Sequence, residues 1–271
     1  MYVGNKLFSK KFLIKNMCLL LISYRNHPKY KLIVAANRDE FYKRPALSAH
    51  FWEDENVLLA GKDLEAGGTW LGLTTQGRFS AITNYRDMKN LKLNAPTRGK
   101  IVTDFLLNNI SESKFADVLK TKADLYNGYN LIFGAIESLY YFSNQTKKRT
   151  KLVPGIYGLS NHLLDTPWYK VERSKKSFAK ALNSKEISDK TLFNILSDTS
   201  IPPDDLLPQT GLKLGIERAV SPVFVAAPNY GTRSSTVILI DKKNNVRFIE
   251  KSLITSNGKW VKSSYEFELE K

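Results

Sequence analysis

The sequence predicts an α+β fold in which two antiparallel sheets pack together and helices cover their outer faces. Short runs of β-forming residues come in pairs joined by turn signals, as in hairpins. Helical periodicity is concentrated between two groups of such hairpins. The regular alternation of strand and helix that builds a doubly wound parallel sheet is missing from this order.

The predicted strands are apolar or alternating runs bounded by turn residues. The turn signal Arg25-Asn26-His27-Pro28 separates the first two, which form a buried hairpin. Thr75-Gln76-Gly77 defines a second hairpin, whereas 41–50 contains Pro45 and is predicted to be irregular. The predicted strands are 18–24, 31–36, 57–60, 69–74, 78–84, 129–136, 139–142, 152–159, 223–225, 235–241, 246–250 and 260–267.

The predicted helices follow apolar spacing of three to four residues and begin at capping residues. Ser111 and Ser188 are suited to N-caps, and Pro167 fits a first helical turn with Asp165 or Thr166 as its cap. The predicted helices are 100–109, 112–120, 167–182 and 189–196. Because no linker or repeat divides the chain, we expect a single domain over 18–271.

Composition excludes several classes of protein. A chain of 271 residues that is 42% hydrophobic is expected to bury a full core rather than remain disordered. The 41 lysine and arginine residues exceed the 26 acidic ones, which gives a formal charge of +15, but they are scattered and accompany no nucleic-acid motif. This pattern indicates a solvated lysine-rich surface rather than a specific nucleic-acid site.

The first seventeen residues differ from the rest of the chain. They carry four lysines and no acid, and Lys15 interrupts their apolar patch, so a secretory signal peptide is not predicted. Two interpretations stay open: 1–17 is a removable pro-segment, or translation starts at Met17. Since no apolar run reaches the length of a membrane-spanning helix, we expect a cytoplasmic protein without a membrane span.

The other motifs give little evidence of a cofactor or metal. The segment Gly67-Gly68-Thr69-Trp70-Leu71-Gly72 superficially resembles a dinucleotide loop, but a hairpin follows it instead of a helix. Its glycines are therefore expected to serve tight turns or close backbone approach. The three histidines, His27, His50 and His162, lack metal-ligand spacing, and a single cysteine excludes a disulfide framework and thiolate-rich metal sites.

Cys18 and the tetrapeptide Asn37-Arg38-Asp39-Glu40 form the most informative pair of features. The tetrapeptide ends the strand that pairs with the strand of Cys18, so these residues can lie side by side. Inside a chain Cys18 would be an inert core thiol. As a new N-terminus it would carry its own base, because an α-amino group has a pKa of roughly 7.7–8.0. A nearby arginine would then favour the thiolate, and a carboxylate would hold the amine.

These residues, with others in order along the chain, resemble the NRDE family, which is also called transport and Golgi organisation protein 2-like. The resemblance covers nearly the whole chain from residue 17 to at least 250. Its matching segments are Met17-Cys18-Leu19, Asn37-Arg38-Asp39-Glu40-Phe41-Tyr42, Arg44-Pro45, Leu59-Ala60-Gly61-Lys62-Asp63, Gly67-Gly68-Thr69-Trp70-Leu71-Gly72, Thr83-Asn84-Tyr85-Arg86, Arg98-Gly99, Tyr126-Asn127-Gly128-Tyr129-Asn130, Tyr157-Gly158-Leu159-Ser160-Asn161 and Tyr230-Gly231-Thr232-Arg233-Ser234-Ser235-Thr236.

The resemblance implies a four-layer αββα architecture like that of the N-terminal-nucleophile hydrolases. It further implies that Cys18 is the nucleophile and that Arg38 and Asp39 orient and tune it. Because these two are adjacent in a strand, their side chains should point to opposite faces. The resemblance also implies oxyanion donors at Asn161 and Asn84 and a late catalytic arginine at Arg233.

Two classes of function follow from the resemblance. The first is a hydrolase or acyltransferase that acts on a small-molecule amide, ester or thioester and requires no cofactor. The second is non-catalytic binding or trafficking of haem or of lipid and acyl-CoA. For the second class, an apolar cavity lined by aromatic residues competes with ordinary core packing of the same side chains. The aromatic residues concerned are Phe51, Trp52, Trp70, Tyr85 and Trp168.

Overall fold

The computed structural model describes residues 18–270, which fold into fourteen strands and five α-helices. The predicted extension over 1–17 lies outside the described residues. The strands are β1 (Cys18–Tyr24), β2 (Tyr30–Phe41), β3 (Ala46–Trp52), β4 (Glu55–Asp63), β5 (Leu71–Thr74), β6 (Arg78–Asn84), β7 (Tyr129–Ala135), β8 (Ser138–Ser143), β9 (Lys148–Lys151), β10 (Gly155–Leu159), β11 (Ala226–Ala227), β12 (Tyr230–Asp241), β13 (Asn245–Ile254) and β14 (Lys259–Glu268). The helices are α1 (Gly99–Leu107), α2 (Glu112–Thr121), α3 (Tyr169–Ala181), α4 (Asp189–Leu196) and α5 (Leu214–Val220).

The strands form two antiparallel sheets. The first has the order β10-β1-β2-β12-β13-β14, and the short β11 also pairs with β12. The second follows the chain as β3-β4-β5-β6-β7-β8-β9. The first sheet therefore joins strands from both ends of the described chain, with β2 between β1 and β12, whereas the second is a meander.

Side-chain alternation along β2 shows how the layers stack. Leu32, Val34 and Ala36 belong to the core between the two sheets, whereas Ile33 and Ala35 belong to the core beneath the helices. Successive strand residues point to opposite faces, and both faces of this sheet are covered, so residues 32–36 of β2 are continuously apolar. The same alternation later decides which face each polar residue of β2 occupies.

Three apolar cores hold the layers together. The core between the sheets includes Leu59 and Phe79 of the second sheet. Helices α3 and α4 cover the first sheet, with Phe178 fully buried, and α1 and α2 cover the second through Phe105 and Phe115. The order is helices, sheet, sheet, helices, which confirms the predicted four-layer αββα architecture.

Most predicted elements are present, and the corrections have local causes. The stretch predicted to be irregular is largely strand: β2 continues to Phe41 and β3 begins at Ala46. Strand β9 was not predicted because all four of its residues are exposed and polar. The strand predicted over 223–225 is wrong, since β11 covers the next two residues. The short helix α5 was also not predicted.

Capping at α3 differs from the prediction. Trp168 is the N-cap residue and makes no side-chain capping bond, so neither Asp165 nor Thr166 caps this helix. Asp165 instead accepts hydrogen bonds from the backbone of Gly158 and from Lys175. At α2 the predicted cap is confirmed, because the Ser111 side chain accepts from the helix backbone.

The paired glycines of the dinucleotide-like segment serve backbone geometry, as predicted. Gly67 has a φ of 71°, a left-handed conformation that favours glycine. A Cβ on Gly68 would lie 2.4 Å from the carbonyl carbon of Gly99, at the start of α1. The segment therefore fixes where α1 begins. No helix among residues 18–270 combines the length and the apolar character that crossing a membrane requires.

Candidate active site

Cys18 begins β1 and lies directly opposite Arg38 of β2 in the register of the sheet. Its side chain lines a cavity of about 20 Å³ between the sheets, and only 8% of the residue is exposed. Burial raises the pKa of the Cys18 thiol to about 12, and the negative charge of Asp39 adds to this shift. Within the uncleaved chain the thiol is therefore protonated at neutral pH and a poor nucleophile.

Arg38 projects into the space between the sheets on the same face as Cys18. Its guanidinium lies 4.3 Å from the ring centroid of Trp70, and its Nη2 is 3.3 Å from Oδ2 of Asp63 and 3.6 Å from Oε2 of Glu40. Stacking on the ring and two acidic partners hold this cation in one position. Its positive charge lowers the pKa of the Cys18 thiol, against the larger effect of burial.

Asp39 occupies the opposite face of β2, as strand alternation predicted. It is 1% exposed, and its Oδ1 accepts a hydrogen bond of 2.6 Å from Oγ1 of Thr232. Within the described part of the chain, its Oδ2 has no hydrogen-bond partner. Because Asp39 is one register step beyond Arg38, it lies on the amino side of Cys18.

Lys170 is the buried cation on this helix-facing side. It comes from the first turn of α3, and its Nζ donates a long bond of 3.5 Å to the carbonyl of Val220. Burial raises the pKa of Asp39 to about 7, and the charge of Lys170 is the strongest influence that lowers it. Burial likewise lowers the pKa of Lys170 to about 8, which Asp39 opposes. The two groups attract each other inside the fold.

The two predicted asparagines lie at the ends of strands that converge near Cys18. Asn161 follows β10, the neighbour of β1, and its Nδ2 donates to the carbonyl of Asn84 at the end of β6 over 3.0 Å. The Ser160 hydroxyl bridges this pair and the first strand: it lies 2.9 Å from the carbonyl oxygen of Cys18 and 3.2 Å from Oδ1 of Asn161. The structure thus brings both asparagines to the edge where Cys18 begins.

Arg233 lies close to Arg38: burial lowers the pKa of Arg233, and the charge of Arg38 adds to this shift. It is the extra residue of a bulge in β12, between Thr232 and Ser234, and it is 5% exposed. Its Nη1 donates to the carbonyls of Phe41 and Arg44, each over 2.9 Å. These hydrogen bonds hold the segment 41–44, at the end of β2, against β12. The predicted catalytic role of Arg233 stays a prediction.

A larger pocket of about 270 Å³ adjoins this group of residues. Asn84 and Arg98 line it, and a thiolate at Cys18 would be the charge that most opposes the lowering of the pKa of Arg98. In the sequence, Arg98 appears only within a segment that matches the family, and no motif or spacing indicates a role for Lys170. The pocket and these two cations emerge only when distant parts of the chain are brought together.

The described residues provide no clear metal site. Within 18–270, no three or more His, Cys, Asp or Glu side chains are grouped so as to hold a metal ion. The aromatic residues considered for a cavity belong to different layers. Phe51 packs in the core between the sheets, whereas Trp52 packs beneath α1 and α2, so these aromatic residues do not line one common cavity.

The chain is similar to known proteins over nearly its whole length. The family model described as Transport and Golgi organisation 2 matches residues 17–255. Transport and Golgi organization protein 2 homologs of Bos taurus and Homo sapiens are each 36% identical over 276 residues, which cover 94% of this chain and all of either relative. Transport and Golgi organization protein 2 of Drosophila melanogaster is 28% identical, over 92% of this chain and 98% of its own.

Two solved structures are also similar. A mutant of the conjugated bile acid hydrolase from Clostridium perfringens has a TM-score of 0.48 at 8% identity and covers 94% of this chain and 97% of its own. The N-acylethanolamine-hydrolyzing acid amidase ortholog of Caenorhabditis elegans has a TM-score of 0.47 at 10% identity, over 82% and 92%. These two structures are too distant to establish the fold, so the four-layer architecture is assigned from the observed sheets and helices.

Proposed function

The chain belongs to the Transport and Golgi organisation 2 family, and from its site we propose an N-terminal-cysteine hydrolase or acyltransferase acting on an amide, ester or thioester. One observation carries the proposal. The only cysteine begins a strand with an arginine directly opposite, and a carboxylate oxygen of Asp39 that has no hydrogen-bond partner among residues 18–270 is buried on its amino side. A buried acceptor without a partner is costly, and an α-ammonium group on Cys18 would satisfy it.

Release of the α-amino group would change the chemistry of Cys18. Within the uncleaved chain the thiol is unreactive, because burial raises its pKa to about 12. Cleavage before Cys18 would supply an amine with an ordinary pKa of roughly 7.7–8.0 on the same residue. The amine would be the general base, Asp39 would hold it, and Arg38 would favour the thiolate.

The reaction would then proceed through an acyl-enzyme. The thiol proton moves to the α-amine as Sγ attacks the carbonyl carbon, and the resulting oxyanion lies near the amides of Asn161 and Asn84. Each such donor contributes about 2.7–4 kcal/mol where it has been measured. The ammonium returns the proton to the leaving group, and water or another acceptor then takes the acyl group from Sγ.

The test is the state and reactivity of Cys18 in the purified protein. We expect mass spectrometry to find Cys18 as the N-terminal residue. We also expect iodoacetamide to label it faster than free cysteine at neutral pH. Because the chain has a single cysteine, the label reports on this thiol alone. Cys18→Ser is the control that measures background labelling. Retention of 1–17 on active protein, or labelling slower than that of free cysteine, contradicts the proposal.

The hydrolase proposal is preferred to the haem alternative because two of the three histidine rings are fully hydrogen-bonded. His27 uses both nitrogens, towards the carbonyl of Ser184 and the backbone N–H of Lys29. His162 uses both towards Tyr85 and Thr166. Haem titration separates the two functions: a Soret shift that Cys18→Ala abolishes would favour haem binding.

A further inference from the structure

The pocket of about 270 Å³ that Asn84 and Arg98 line is enclosed by both polar and apolar groups. Side-chain amides of Asn127, Asn144 and Gln145 line one part, and Met88 and Leu91 line another. Its size is close to the lower end of the range for small-molecule sites. Such a lining suits a small compound that has both a polar and an apolar part.

Most charges around this pocket are neutralised by protein partners. Asp124 is 2.7 Å from Nζ of Lys147, and Arg86 is 2.7 Å from Oε2 of Glu217. Asp87 accepts hydrogen bonds from the backbone N–H groups of the loop that follows it. These groups therefore already have partners within the protein and are less suited to bind a ligand.

Two cations that line the pocket take part in no ion pair among residues 18–270, the exposed Lys92 and the less exposed Arg98. Nη1 of Arg98 donates to the carbonyl of Gly128 over 2.8 Å, and the charge of Glu40 acts on it from beyond ion-pair distance. Burial lowers the pKa of Arg98 to about 10, so it remains cationic at neutral pH. A guanidinium has five N–H donors, and a partly buried cation without a direct anionic partner is costly. Such a group is suited to receive an anion.

Arg98 is linked to the proposed nucleophile through the wall of the pocket. It lines the pocket together with Asn84, whose carbonyl accepts a hydrogen bond from Asn161. Ser160, the neighbour of Asn161, lies 2.9 Å from the carbonyl oxygen of Cys18. A ligand group bound by Arg98 would therefore be held in the part of the pocket whose wall leads to Cys18.

We propose that Arg98 makes this pocket an anion site, so that the substrate of Cys18 is an acyl compound with a carboxylate or phosphate beside its scissile carbonyl. The inference rests on the proposed function and adds the charge of the substrate to it. A carboxylate and a phosphate both present two oxygens that a guanidinium can bind through parallel hydrogen bonds.

The first experiment compares two alkylating agents of similar size on the full chain, neutral iodoacetamide and anionic iodoacetate. Each forms a carbon–sulfur bond at Cys18 and releases iodide, and the thiol proton is lost. We expect the iodoacetate-to-iodoacetamide rate ratio to exceed that of free cysteine by on the order of tenfold. Arg98→Met should lower the ratio to the value of free cysteine, and Arg98→Lys should retain part of it.

Lys89→Met is the matched control, because it removes an exposed positive charge near the pocket without altering its lining. Its ratio should equal that of the wild type. Circular dichroism and thermal melting establish that each variant is folded, and Arg98→Lys keeps the test decisive where Arg98→Met is not. A ratio that does not change in a folded Arg98 variant overturns this inference alone. If neither reagent labels the wild type, the proposed function and this inference both fail.

The second experiment identifies the anion. Acetate and inorganic phosphate are titrated separately against iodoacetamide labelling of Cys18, with chloride at matched ionic strength. Protection by acetate indicates a carboxylate, protection by phosphate a phosphate ester, and protection by both a general oxyanion site. Protection should be lost in Arg98→Met, and Arg98→Lys should retain it in part. Protection no greater than that by chloride overturns the inference.

Discussion

Asp39 and Lys170 are opposite charges enclosed on the helix-facing side of the candidate nucleophile. Burial alone would favour the neutral form of each, and each opposes the shift of the other. In the proposed mechanism Asp39 must be ionised to hold an α-ammonium group on Cys18, and its pKa of about 7 leaves it partly ionised at neutral pH. Lys170 would then act as a positioning residue, because its charge opposes a further rise of that pKa.

Replacing Lys170 by Met should move the pH dependence of Cys18 labelling. The pKa of Asp39 is about 7 with Lys170 present. Loss of the cation raises that pKa further, so the acidic limb of the labelling profile moves to higher pH. We expect a shift of about one pH unit, at the lower end of what an opposite charge contributes. Iodoacetamide labelling rates measured from about pH 5 to about pH 9 cover the titration of both the carboxyl and the amine.

Lys170→Arg is the control, since it keeps the positive charge and should leave the midpoint near that of the wild type. A merely structural role for Lys170 would lower stability or the overall labelling rate without moving the midpoint. An unchanged midpoint in folded Lys170→Met therefore contradicts the assignment.

The candidate site was predictable only in part at the level of single residues. Cys18, Arg38 and Asp39 could be placed together because they belong to two adjacent strands of one hairpin. Lys170 could not, because its helix packs against that hairpin only through tertiary contacts. Arg98 was likewise unassigned, since a single arginine next to a glycine indicates no partner.

Among the elements, helix α1 depends on an unusually close backbone contact. The backbone N–H of Thr69 donates to the carbonyl of Gly99 over 3.3 Å. A Cβ on Gly68 would meet backbone atoms of Gly99 at 2.4 and 2.7 Å, and backbone cannot rotate away as a side chain can. The contact determines where Arg98, the residue before the helix, is held.

Replacing Gly68 by Ala should therefore displace the beginning of α1. We expect a loss of about 1–3 kcal/mol in the free energy of unfolding, as for other overpacked sites. The iodoacetate preference attributed to Arg98 should also fall. Urea denaturation measures the first effect, and the ratio of alkylation rates measures the second.

Gly215→Ala is the matched control for this substitution. A Cβ at Gly215, inside α5, would meet no atom within 4 Å, so alanine should be neutral or stabilising by up to about 1 kcal/mol. If Gly68→Ala is as stable as Gly215→Ala, the close contact does not constrain α1.

Element type was predictable from local patterns, whereas element ends and bulges were not. Strand β1 was predicted with its observed bounds because seven residues, all buried, lie between clear breaks. Strand β3 was not predicted, since Pro45 precedes it and Ser48 and Ala49 bulge out of its ladder opposite Gly61. The backbone of such a bulge needs partners that only the opposite sheet supplies.

For the whole molecule, those partners link the two sheets across the central core. Oε1 of Glu250, in β13, accepts from the backbone N–H of Ala49 over 2.7 Å, and the Tyr265 hydroxyl donates to the carbonyl of Ala49 over 2.9 Å. Glu250 also accepts from the hydroxyls of Thr236 and Ser252. Burial raises the pKa of Glu250, although these bonds oppose the shift.

The raised pKa gives Glu250 a pH-dependent effect on stability. A carboxyl that takes up its proton more readily in the folded state favours folding at low pH, and this contribution is lost as the pH rises through its folded pKa. Glu250→Gln should therefore be most favourable relative to the wild type at about pH 8 and least so at about pH 4. Its carbonyl can still accept from Ala49, and its amide can donate to a neighbouring hydroxyl.

Chemical denaturation of both proteins at the two pH values measures the difference in the free energy of unfolding. Glu266→Gln is the control, because Glu266 is exposed on the neighbouring strand β14 and should show little dependence of that difference on pH. A Glu250→Gln difference that is the same at both pH values, or that grows more favourable towards acid, contradicts the assignment. The link between the sheets would then depend on the bonding geometry at Ala49 alone, because the charge of Glu250 would have no separate effect.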